Sequence, residues 1–210
     1  MNNKEKIKEI LKRLKKEYPD AKTALKFSSP FELLVSTILS AQATDNLVNK
    51  VTEKLFKKYK NIEDYAKVPI EELQEDIKSV NYYKTKAKNI QEAARLIIRN
   101  FKGNVPETME ELITLPGVAR KTANIVLSEA YGINQGIAVD THVKRLSKLL
   151  GLTENENPVK IEQDLMAITP QNDWNKLSNL LIMHGRNVCQ AKKPAHDKCV
   201  LRDICPSNSI

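Results

Sequence analysis

At 210 residues, with 41% hydrophobic and 29% charged side chains, the chain can bury a core as one domain or as two small ones. A net charge of +8 favours polyanionic partners, although a lysine-rich surface alone would give the same figure. No apolar run has the length of a membrane span, and no signal-type apolar stretch opens the chain. Its three cysteines, all between 189 and 205, do not read as a disulfide framework, so a reducing, cytoplasmic location is expected.

Ile7, Ile10, Leu11 and Leu14 mark one face of an N-terminal helix. Ser29-Pro30-Phe31-Glu32 combines a serine N-cap, a proline at the first helical position and a glutamate three residues after the cap. Leu33, Leu34, Ile38 and Leu39 then face a core. Thr44 or Asp45 caps the next helix, with Leu47, Val48, Val51 and Leu55 inward. Helices are predicted over Ile70–Val80 and Lys84–Ile98, and Pro106-Glu107 starts another that leads to a turn at Pro116-Gly117. Arg120–Ala130 and Thr141–Leu150 follow, with Gly132 and Gly151 as stops, and then Pro158–Ile168 and Trp174–Gly185. No pair of alternating segments flanks a hairpin signal, so the predicted fold class is all-α.

Two helix starts carry the candidate chemistry. Leu115-Pro116-Gly117-Val118-Ala119 turns the chain into a helix whose first N–H groups and positive dipole end suit a phosphate, although such a turn is also common as plain structure. Lys121 lies in that first turn. A neutral amine attacks an electrophilic carbon, and desolvation beside a second cation, Arg120, favours the neutral form. Asp140, in Val139-Asp140-Thr141-His142, is placed to cap Thr141–Leu150. Capping does not exclude a second role, because an ionised carboxylate also stabilises an oxocarbenium-like sugar as its base departs.

With Ser40-Ala41-Gln42-Ala43-Thr44-Asp45, the segment Leu115–Leu127, Val139-Asp140-Thr141-His142 and His184-Gly185-Arg186, the chain resembles the endonuclease III family of DNA glycosylases with lyase activity over nearly its whole length. The resemblance implies two helical lobes: a six-helix barrel with a helix-hairpin-helix over 22–134, and a discontinuous lobe over 1–21 and 135–210. It implies a monomer acting on double-stranded DNA with damaged bases or abasic sites, in the cytoplasm at the nucleoid. Lys121 would attack C1′, displace an oxidised pyrimidine and form a Schiff base, with strand cleavage by β-elimination; Asp140 would support it electrostatically.

By the same resemblance Leu115, Gly117, Ala119, Arg120 and Thr122 belong to the DNA-gripping hairpin, Gln42 reaches into the space a flipped base vacates, and Asp45 and His142 line the base pocket. Read from the residues alone, Gln42 bonds nearby backbone, Asp45 caps its helix and His142 packs at a helix start. Tyr82 either wedges against the orphaned base or packs between helices. Two positions depart from the family. Ala119 replaces a second glycine, and alanine at positive φ costs about 1 kcal/mol, so the turn avoids that region or tolerates strain. Asn81-Tyr82-Tyr83 replaces a glycine and a bulky aliphatic residue, with Asn81 suited to the left-handed region.

Cys189, His196, Cys199 and Cys205 fall where the family holds a four-cysteine [4Fe–4S] cluster, the second ligand here being histidine. Three metal readings follow: His196 ligates the fourth iron, three thiolates hold a cluster alone, or a Cys3His set holds zinc. The first is preferred because the rest of the scaffold matches; free thiols with a solvated histidine are the bland alternative. Any such metal would fix the loop of Lys192 and Lys193 for phosphate contact. The expected function is a bifunctional glycosylase and abasic-site lyase. A mismatch glycosylase acting on adenine, uracil or thymine, or a non-catalytic helix-hairpin-helix DNA-binding protein, are the alternatives.

Overall fold

Asn2 and Glu5 open the first helix, α1 (Asn3–Glu17), by a reciprocal cap in which each side chain accepts from the other's backbone N–H. The computed structural model describes residues 2–208, and every regular element among them is helical. After α1 come α2 (Pro30–Ser40), α3 (Asp45–Lys58), α4 (Ile62–Lys67), α5 (Ile70–Asp76), α6 (Tyr83–Phe101), α7 (Met109–Leu112) and α8 (Arg120–Tyr131). Then follow α9 (Thr141–Leu149), α10 (Pro158–Ile168) and α11 (Trp174–Asn187), with short 3-10 turns at Gln171–Asp173, His196–Lys198 and Arg202–Ile204.

The chain divides into two compact units, Ala24–Ile133 and a discontinuous one of residues 1–23 and 134–210. In the first, α2 is the central helix. Every side chain from Leu33 to Leu39 is buried, so it has no solvent face, and it packs on α3, α6 and α8. Each fully buried leucine there contributes roughly 1.5–3 kcal/mol. Ser29 Oγ accepts from Glu32 N at 3.2 Å, whereas the Glu32 carboxylate turns to Ser28 instead of closing a box on Ser29. In the discontinuous unit α11 buries Leu177, Leu180 and Leu181 and packs on α1 and α9.

One cap left open is settled, and predicted boundaries change. Thr44, not Asp45, caps α3, its Oγ1 accepting from Leu47 N. The helix before the hairpin starts at Met109 under a Thr108 cap and is a single turn. α5 stops at Asp76 because Ile77, buried, closes a turn onto which Val80 N–H bonds. Among the described residues no helix is long and apolar enough to cross a membrane.

Candidate functional site

The hairpin is built from beneath. Leu115, expected in the DNA-gripping hairpin, has its side chain in the core and its N–H bonded to Leu112 O at 3.1 Å, so its side chain anchors the turn. Val118 N returns to Leu115 O at 3.1 Å and closes it. Gly117 takes φ +79, which favours glycine, and a Cβ there would stand 2.9 Å from Asn89 Nδ2 of α6, so that side chain would have to shift for any other residue. Ala119 is extended, with φ −89 and ψ 168; the turn avoids the left-handed region and the alanine is unstrained.

Ala119 is also the N-cap of α8 and makes no side-chain cap hydrogen bond. The first-turn N–H groups, Lys121 and Thr122 among them, therefore have no side-chain acceptor at the cap. Arg120 and Lys121 are exposed. The desolvation expected of the Lys121 amine is thus absent from the free protein, and a bound strand would have to supply it.

Two further tips lie in the same unit. Gln42, in the turn between α2 and α3, and Tyr82, at the start of α6, are both left-handed, with φ 54 and φ 58. A non-glycine residue there costs roughly 1–2 kcal/mol. The left-handed residue expected at Asn81 is in fact Tyr82. Asn81 instead reaches across, its Nδ2 donating to Gln42 O at 3.0 Å. Tyr82 is 64% exposed, which removes the reading that it packs between helices. The Gln42 side chain is exposed and makes no hydrogen bond among the described residues. Asp45 sits in the first turn of α3 as the residue after its cap.

Sequence reasoning missed Lys86. It is 5% exposed, and its Nζ donates to Leu39 O at 2.8 Å and Ala41 O at 2.5 Å, at the C-terminal end of α2. Burial lowers its pKa from the ordinary lysine value. A lysine among 34 basic residues gives no sign of such placement.

In the discontinuous unit, Asp140 Oδ1 accepts from Val143 N at 2.8 Å and caps α9, with the carboxylate partly exposed. His142 packs on Gly185 of α11, where a Cβ would stand 2.8 Å from its Nδ1, and Arg145 meets the same nitrogen at 3.3 Å. The C-terminal segment folds around a cavity of about 340 Å³ lined by Cys189, His196, Cys199 and Cys205. All three cysteines are free and half-buried, and burial pushes the Cys189 and Cys199 thiols up. Arg145 Nη1 holds Cys189 O at 2.6 Å. His184, which sequence reasoning did not connect to the cysteines, brings Nε2 to 3.4 Å from Cys199 Sγ while its Nδ1 meets Tyr18 Oη at 3.1 Å. Burial holds this imidazole down at about 4, hence neutral. Lys192 and Lys193 are exposed in the loop between Cys189 and His196.

A family profile described as HhH-GPD superfamily base excision DNA repair protein matches residues 35–171. An endonuclease III from Synechocystis is 52% identical, over 98% of this chain and 94% of its own. One from Bacillus subtilis is 47% identical with the same two coverages. A solved structure of a trapped covalent intermediate between endonuclease III and DNA superimposes with a TM-score of 0.93 at 44% identity, covering 99% of this chain and 98% of that one.

Proposed function

The chain belongs to the endonuclease III family of HhH-GPD base excision DNA repair proteins, and from that premise we propose which of its residues carry the chemistry. It is a DNA glycosylase with abasic-site lyase activity, and its partner is double-stranded DNA with damaged bases or abasic sites. Oxidised pyrimidines are the substrates we assign to it, met as a monomer at the nucleoid.

The hairpin grips one phosphate with the open N–H groups at Gly117 and the start of α8, which positions the strand without reading bases. A damaged nucleotide leaves the stack. The Lys121 amine, desolvated by the strand, attacks C1′; the glycosidic bond breaks and the base leaves with its electron pair and a proton. The sugar ring opens to a Schiff base. Loss of a 2′ proton then expels the 3′ phosphate, and water releases the enzyme. Asp140, held in place by its cap bond, stabilises the positive charge that develops at the sugar. Gln42 fills the vacated space and Tyr82 stacks on the orphaned base, a role its exposure supports. Asp45 and His142 line the base pocket by the family's pattern, His142 from a position fixed by Gly185.

The family is generally associated with a [4Fe–4S] cluster. The residues here fit one. Three thiols and an imidazole line one cavity of about 340 Å³ in the C-terminal segment, and thiolate with imidazole is a donor set that iron–sulfur centres accept. Cys189, Cys199 and Cys205 with His196 would hold it, and the cluster would then fix the Lys192–Lys193 loop against a phosphate without entering the bond-breaking steps. An optical spectrum with metal analysis tests this: iron and sulfide are expected, and a colourless protein with one zinc would exclude it.

The observation that carries the functional reading is a lysine on the open end of α8, since the mismatch-type relatives generally lack lysine there. A panel of duplexes, each with one lesion, scored separately for base release and strand scission, tests it. Release of oxidised pyrimidines in step with scission is expected. Release of mismatched adenine, uracil or thymine without scission would favour a mismatch enzyme, and binding with neither a non-catalytic module.

A further inference from the structure

Gln42 and Tyr82 sit on different loops, one after α2 and one before α6, and sequence distance gives no reason for them to act together. Both nonetheless hold the left-handed conformation that side chains disfavour, and both are exposed. Strain of that kind persists only where the surroundings over-determine it.

Two side chains do so here. Asn81, next to Tyr82, donates from Nδ2 to the backbone carbonyl of Gln42 itself. Lys86, one turn into α6, inserts its ammonium beneath the same turn and bonds Leu39 O and Ala41 O. These carbonyls belong to the end of α2, whose dipole favours a cation. Lys86 is buried and meets carbonyls rather than a carboxylate, so removing either side of the contact would leave a buried group unsatisfied. The start of α6 and the end of α2 are thereby tied on both sides of the Gln42 turn.

We propose that Asn81 and Lys86 are positioning residues that lock the Gln42 and Tyr82 tips into one rigid probe, so that both enter the duplex in a single act and judge the base opposite the lesion together. Glycine at position 81 would have no side chain to make the Gln42 contact, so the tether depends on the asparagine. The proposal rests on the reading that these two tips enter the duplex.

The test is a double-mutant cycle, Gln42→Ala with Tyr82→Ala, in the full protein with Asn81 and again with Asn81→Gly. Binding is measured to duplexes carrying a tetrahydrofuran abasic analogue opposite each of the four bases. With Asn81 present, the double variant should lose affinity at least about threefold less than the product of the two single losses, because removing one tip already disables the pair. With Asn81→Gly the single losses should multiply and the preference among opposite bases should flatten, while the melting temperature stays as before. Lys86→Met should act in the same direction where it folds. Undiminished coupling and unchanged opposite-base preference in Asn81→Gly would overturn the tether alone. Single substitutions at Gln42 and Tyr82 that leave abasic-site binding intact would overturn the tether and the underlying reading together.

Discussion

At the start of α8 no side chain closes the first turn, whereas at the start of α9 the Asp140 carboxylate closes it at 2.8 Å from Val143 N. The same structural position is treated in opposite ways. The open helix end presents N–H groups of the kind that suit an anion, and Lys121 stands exposed on it. A capped end fixes an anion that belongs to the protein and orients it by a bond independent of substrate. In the function proposed above these ends meet two demands of sugar chemistry: Lys121 would be a nucleophile switched on by the strand it meets, and Asp140 a counter-charge already in place beforehand.

The contrast is broken most strongly at the open end. Lys121→Gln should abolish strand scission while leaving phosphate-dependent binding largely intact, measured by gel assay and by titration. At the capped end, Asp140→Asn keeps a good N-cap, so stability should move by less than about 0.5 kcal/mol. Base excision should nevertheless slow on the order of 100-fold, because the charge is gone. Equal loss of binding and rate would reduce Asp140 to a cap.

Gly117→Ala sharpens the role of the hairpin. Positive φ and the close approach of Asn89 should cost about 1 kcal/mol or more in thermal stability and weaken DNA binding several-fold. A fully stable variant would mean that the turn rearranges freely. The smallest expected effect is Lys192→Ala, which should lower the log–log salt dependence of binding by nearly one unit without a change in excision at saturating DNA.

How much of this was legible in the sequence differed by the range of the interaction involved. Ser29 with Pro30 predicted the start of α2, and Gly132, at φ 70, ends α8 where a stop was expected. These signals lie within a few residues of what they control. α4 was not anticipated, because six residues with only Ile62 and Tyr65 buried show too little periodicity to register. Lys121 and Asp140 stood out through residue type at a helix start, although the exposure of Lys121 did not.

The missed features are contacts through space. Asn81 meets Gln42 across 39 positions, Lys86 meets Leu39 across 47, and His184 meets Cys199 from another element. Nothing local distinguishes these side chains from solvated ones. The core position of the Leu115 side chain was hidden for the converse reason: a motif position says that a residue matters to the turn, not which way its side chain faces.

Borohydride reduction of the protein on abasic-site DNA, followed by peptide mapping of the adduct, probes the nucleophile itself. A single covalent linkage between the opened sugar and the side-chain nitrogen of Lys121 is the predicted result. An adduct at any other residue, or none under conditions where the strand is cut, would contradict it.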